Sequence, residues 1–160
     1  MRGNHLFFAV AAMLLLGTGA YAGDLDGGIA VSKAWVQAMP PSQSTSAAYM
    51  TITNSSQKEA VLVSASTDIA AAAELHQMSD VNGMMTMDKV SAIRIPAQGQ
   101  VVLGPGGYHI MLIGLKSPVD KAGDMVSLTL RFQDGAVLTL KAQVKEDQDE
   151  GASSMPGMKM

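Results

Sequence analysis

Two pairs of residues combine type and spacing in a way that could do chemistry. His76 is followed two residues later by Met78, and His109 two residues later by Met111. On an extended strand, positions i and i+2 project from the same face, about 6.5–7 Å apart along the backbone. An imidazole and a thioether can then approach one ion from one side. Three further methionines, Met84, Met85 and Met87, follow an Asn82-Gly83 pair. Asn-Gly is the strongest short hairpin signal, and a turn there would set Met78 opposite Met87. His76 would lie diagonally from Met87 on the same face, about 7–8 Å away and within reach of long side chains. One hairpin and one further strand can thus present two nitrogens and two sulfurs.

Such a donor set selects a soft ion. Neutral thioether is a poor ligand for Mg²⁺ and Ca²⁺. Zinc prefers thiolate, imidazole or carboxylate. Cu(I) accepts sulfur and imidazole together, so copper is the physical choice. A thioether forms no disulfide and has no proton to lose, which suits an oxidising compartment. The histidines must be neutral to coordinate, so binding is expected to weaken below about pH 6.5. Taken singly, each methionine could be an adaptable core filler. Three of them at a hairpin end, where a core is thin, argue for metal.

Composition narrows the alternatives. The chain has 160 residues, thirteen methionines and no cysteine. Without thiolate there can be no blue-copper site, zinc ribbon or iron–sulfur cluster. The third histidine, His5, sits with Arg2 before an unbroken apolar run over residues 6–16. That run is too short to span a bilayer, and Ala20-Tyr21-Ala22 offers a small-x-small cleavage site. A cleaved export signal over residues 1–22, cut after Ala22, is therefore expected, with a periplasmic product. Its removal leaves 138 residues, enough for one compact domain over 23–145. The formal net charge of −3 offers neither the basic patch of a nucleic-acid binder nor a polybasic membrane face. No second apolar stretch is long enough to span, so no membrane insertion is expected after cleavage. Residues 146–160 read as a polar tail with nothing to bury, expected to be disordered and ending in Met155, Met158 and Met160.

Strands must position the candidate ligands. β-like segments cover 29–36, 47–53, 60–64, 74–78, 84–90, 93–95, 100–103, 108–112, 125–132 and 136–144. Breakers separate them at Met39-Pro40-Pro41-Ser42, Asn54-Ser55-Ser56, Gly104-Pro105-Gly106-Gly107 and Asp134-Gly135. About eight or more short strands with regular turn signals indicate an all-β Greek-key sandwich. Residues 70–73, four alanines, are the one stretch that could be helical, and they are too few to change the class.

At this point the sequence resembles the periplasmic copper chaperone family written PCu(A)C. That family carries histidine, ten residues, methionine, twenty-one residues, histidine, any residue, methionine. His76, Met87, His109 and Met111 reproduce both gaps without adjustment. The flanks agree: Ala34-Trp35-Val36, Ser46-Ala47-Ala48-Tyr49, Thr53-Asn54, Glu74-Leu75-His76, and Gly106-Gly107-Tyr108-His109 leading to Leu115-Lys116. The resemblance covers roughly residues 29–144. It implies a cupredoxin-like β-barrel or sandwich that binds Cu(I) near one exposed end, with these four residues as ligands. Met78 is a possible substitute ligand because it shares the face of His76, and it ranks below the four. It also implies delivery to a copper acceptor, such as the Cu(A) domain of cytochrome c oxidase subunit II or an assembly factor, and no catalysis. A copper buffer with the same ligands is the alternative. Some members carry a His- and Met-rich extension; this tail has the methionines but no histidine, which leaves a Cu(II) site there unsupported.

Overall fold

Alternation along the strands decides what faces inward. In β11 (Val137–Lys145), Leu138, Leu140, Ala142 and Val144 are buried while Val137, Thr139, Lys141 and Gln143 are exposed, the period-2 pattern of a sheet with one wet face. The computed structural model describes residues 23–25 and 27–146. The expected export signal over 1–22 and the expected tail, apart from Glu146, lie outside the described residues. The other strands are β1 (Gly23–Leu25), β2 (Ile29–Gln37), β3 (Thr45–Asn54), β4 (Ala60–Ser66), β5 (Ala70–Val81), β6 (Met84–Lys89), β7 (Ile93–Ile95), β8 (Gly99–Leu103), β9 (Tyr108–Leu115) and β10 (Met125–Phe132).

Seven of these close into a barrel in the order β2-β11-β10-β4-β5-β9-β3, with β3 pairing back onto β2. Among the described strands only β11 and β2 run parallel. Closure removes open sheet edges from the barrel wall. The short strands β1, β6, β7 and β8 attach to β2, β5, β4 and β3 respectively. The interior is apolar: Ile52, Leu62, Ile95, Ile110, Leu112, Leu128 and Leu130 have no exposed surface, and each such side chain is worth about 1.5–3 kcal/mol of burial. This is the all-β, cupredoxin-like barrel expected, with eleven strands among the described residues, ten of them on the segments that read as β-like in the sequence. No helix occurs among the described residues.

The four alanines at 70–73 are a correction. They form the start of β5, pairing with Leu115, Ile113 and Leu112 of β9 and, through Ala73, with Ala65 of β4. One isolated helical turn forms too few hydrogen bonds to offset its ordering, whereas strands on both sides supply partners. Their small size has a use. Gly114 adopts φ +68° and passes so close that a Cβ there would sit 3.0 Å from the Ala71 methyl.

The Asn82-Gly83 turn forms as expected. Both residues have positive φ, 55° and 80°, the type I′ geometry that matches strand twist. The Asp80 carboxylate accepts the Gly83 N–H at 2.7 Å, and Val81 pairs with Met84. β5 pairs with β9 only as far as Gln77. Beyond that point β6 is the one strand paired with β5 among the described residues.

Candidate metal centre

Registry across β5 and β9 assembles the histidines. Leu75 pairs with Ile110 on the core face, so the next rung, His76 opposite His109, faces outward. The two imidazole centroids are 5.8 Å apart and the rings are inclined by 29°. Met87 of β6 stands opposite Met78, one diagonal from His76 toward the hairpin tip. Met111 of β9 stands opposite Glu74, one diagonal from His76 the other way. An ion above His76 is therefore one diagonal from each thioether, a span that long side chains bridge.

The outward wall is not uniformly wet. His109 is 4% exposed. The Tyr49 ring lies 6.4 Å from it, and Trp35 packs on Tyr49 at 4.6 Å. His76 retains 13% of its side-chain exposure, Met111 is half-buried and Met87 is 47% exposed. The imidazoles are sheltered and one sulfur is open.

Hydrogen bonds settle which ring nitrogens are bare. His76 Nε2 lies 3.0 Å from Glu74 Oε2, and His109 Nδ1 lies 3.3 Å from the Gly107 carbonyl. An ionised carboxylate and a carbonyl only accept, so both of these nitrogens donate. In a neutral ring the other nitrogen then carries a lone pair and no proton. His76 Nδ1 is buried with no hydrogen-bond partner, an orphan that a metal ion would satisfy. This pattern, with one nitrogen tied to an acceptor and the other free, is how ligating histidines are held. Burial lowers the pKa of His109 below its ordinary value, and the nearby His76 adds to that; the Gly107 hydrogen bond opposes both. Its ring is neutral at neutral pH, and protons compete with metal there only at lower pH than for a free histidine. Among the described residues, no three His, Asp or Glu side chains converge as a metal cluster, so the two imidazoles need thioethers to complete a site.

Sequence reasoning did not find Glu74 and Lys89 as parts of this centre. Lys89 donates to Glu74 at 2.8 Å. That bond first, then the one from His76, holds the Glu74 carboxyl below its ordinary pKa. A glutamate two residues before a histidine on a strand shares its face, and this was the available signal. Replacing Glu74 by alanine is expected to free the His76 ring and lower copper affinity about tenfold, the range for partners that orient a ligand. Nitrogen NMR of His76 checks the cause: the tautomer with a proton on Nε2 should lose its dominance.

The family described as "Putative lipoprotein LpqE-like" matches residues 29–144. A protein of Leifsonia xyli subsp. xyli, "Putative lipoprotein Lxx21020", is 41% identical over 120 residues, covering 74% of this chain and 70% of that protein. Among solved structures, apo-DR1885 from Deinococcus radiodurans is 36% identical with a TM-score of 0.61, covering 92% of this chain and 97% of that one. Its Cu(I) form, at 42% identity and a TM-score of 0.59, covers 71% and 76%. The copper-bound PCuAC domain from PmoF2 superimposes with a TM-score of 0.65 over 78% of this chain and 97% of that one, and at 21% identity it speaks to the fold alone. Matched over residues 29–144, which include the whole barrel wall that carries the imidazole pair, the chain belongs to the LpqE-like family, and its barrel has the fold of the PCuAC domains.

Proposed function

We propose that this domain holds one Cu(I) ion through His76, Met87, His109 and Met111 and passes it to an exported acceptor, without catalysing a reaction. The observation that carries this reading is the bare, buried Nδ1 of His76, facing a second imidazole on a sheltered wall with a thioether on either diagonal. Two neutral nitrogens and two neutral sulfurs add no charge to the site. That favours the monovalent, soft ion over divalent ions, which gain more from carboxylate or thiolate. Neutral thioethers exchange readily, and the exposure of Met87 leaves one ligand open to an incoming donor. Transfer proceeds by stepwise ligand exchange, with no nucleophile or general base required.

The acceptor has chemistry that outcompetes imidazole and thioether. A dithiolate centre such as the Cu(A) domain of cytochrome c oxidase subunit II qualifies, as does a thiol-bearing assembly factor. The apolar run over 6–16 followed by Ala20-Tyr21-Ala22 supports export and cleavage, which would place both partners in the periplasm. Mixing the Cu(I)-loaded protein with an apo Cu(A) domain under reducing conditions tests the reading. Copper is expected to move to the acceptor at a stoichiometry of one ion per chain. Retention of the metal, or tight loading of several ions, supports storage instead.

A further inference from the structure

The β5–β6 hairpin carries thioethers that packing does not account for. Met84, Met85 and Met87 are 71%, 56% and 47% exposed, on a strand whose pairing partner among the described residues is β5 alone. An edge strand in water normally protects itself with charge or proline. Here one face of β6 reads Met85, Met87 and Lys89, opposite Asp80, Met78 and His76 of β5. The Met78 N–H points away from β6 and donates to the Gly107 carbonyl at 3.0 Å. Met78 and Met87 are therefore a non-hydrogen-bonded pair, the kind whose Cα atoms come within about 4.5 Å and whose side chains lie closest. Two adjacent thioethers form a small soft-donor site of their own, suited to Cu(I) or Ag(I) and unsuited to Ca²⁺, Mg²⁺ or Zn²⁺.

We propose that the Met78–Met87 rung, with Met85 on the next rung outward, is a second soft-ion position through which Cu(I) enters and leaves the imidazole pair. It rests on the ligand assignment above, with which it shares Met87. In the inward step Met87 stays bound. The bond from copper to the Met78 sulfur breaks as a bond to the bare Nδ1 of His76 forms. The ion remains Cu(I), and no proton moves, because neither the thioether nor that nitrogen carries one. Exposure falls along the same path, from 56% at Met85 and 47% at Met87 to 4% at His109. An ion captured at the open end is handed toward the sheltered one.

The test uses the full chain with ¹³C-labelled methionine methyls, titrated with Ag(I) as a redox-stable soft ion and read residue by residue. Beyond one equivalent, the Met78 and Met85 methyls are expected to shift. In His109→Ala the same methyls should shift from the first equivalent. Met78→Leu conserves volume and should bind the first Cu(I) as tightly as the parent. It should release that ion to a small chelator about tenfold more slowly, equivalent to ~1.4 kcal/mol on the barrier. A Met78 methyl that stays silent at every Ag(I) ratio overturns the proposal, as do equal release rates. Slow delivery to a protein acceptor alone, with silent methyls, makes the hairpin a docking surface and also overturns it. Hairpin methyls that respond while His109→Ala leaves first-ion affinity unchanged keep the hairpin as a soft-ion site but overturn the four-ligand assignment, and with it the passage to the imidazole pair.

Discussion

Replacing His109 by alanine is expected to lower Cu(I) affinity by at least about 100-fold, since removing a group that merely orients a metal ligand already costs 10–100-fold. The argument is local. His109 sits directly across from His76, and its Nδ1 is tied to Gly107, so Nε2 is the nitrogen available to metal. Alanine removes one of the two nitrogens, and no Asp or Glu completes a cluster in its place among the described residues. The fold should survive. The imidazole lies on the outer wall, its one hydrogen bond among the described residues is long at 3.3 Å, and the β5–β9 backbone ladder does not depend on it. A loss of about 1–2 kcal/mol in stability is the expected cost of the vacated space under Tyr49. Competition against a calibrated Cu(I) chelator measures the first effect, and urea unfolding of the apo protein measures the second. Unchanged affinity would falsify the assignment of His109 as a ligand.

The adjacent residue should behave in the opposite way. Ile110 has no exposed surface and pairs with Leu75 across the core face of the same two strands. Ile110→Ala is expected to destabilise the protein by about 2–5 kcal/mol, from lost burial and the cavity left behind. The midpoint of urea unfolding should fall, with the slope nearly unchanged. In the folded fraction, copper affinity should stay close to that of the parent, because the ligands project from the other face. One residue along a strand thus separates metal binding from stability. An Ile110→Ala protein as stable as the parent would mean that this wall of the barrel contributes little to the core.

The two substitutions also show how much of the centre was legible beforehand. Period-2 alternation assigned His76 with Met78, and His109 with Met111, to shared faces, and the barrel keeps those faces. The Asn82-Gly83 turn was readable because its chemistry is local: two consecutive residues tolerate positive φ, and that alone sets the register of the hairpin. Met78 opposite Met87 followed directly. The alanines at 70–73 were ambiguous for the complementary reason. Alanine suits either conformation, and the partners that made them a strand are Leu115, Ile113 and Leu112, about forty residues away.

Tertiary structure decided the rest. That His76 lies opposite His109, and Met111 opposite Glu74, depends on β5 pairing with β9 across an intervening β6, β7 and β8. No local signal selects that neighbour; closing the barrel around one apolar interior does. The same closure brings Tyr49 over His109. The sheltering of one imidazole, its lowered pKa and the contrast with the exposed hairpin sulfurs follow from that. Residue types and spacing determined the candidate donor set and the softness of the ion that such donors suit, because coordination chemistry belongs to the side chains. Long-range strand pairing determined which nitrogens are left bare and which sulfur stays open, because burial and hydrogen bonding belong to the assembled wall.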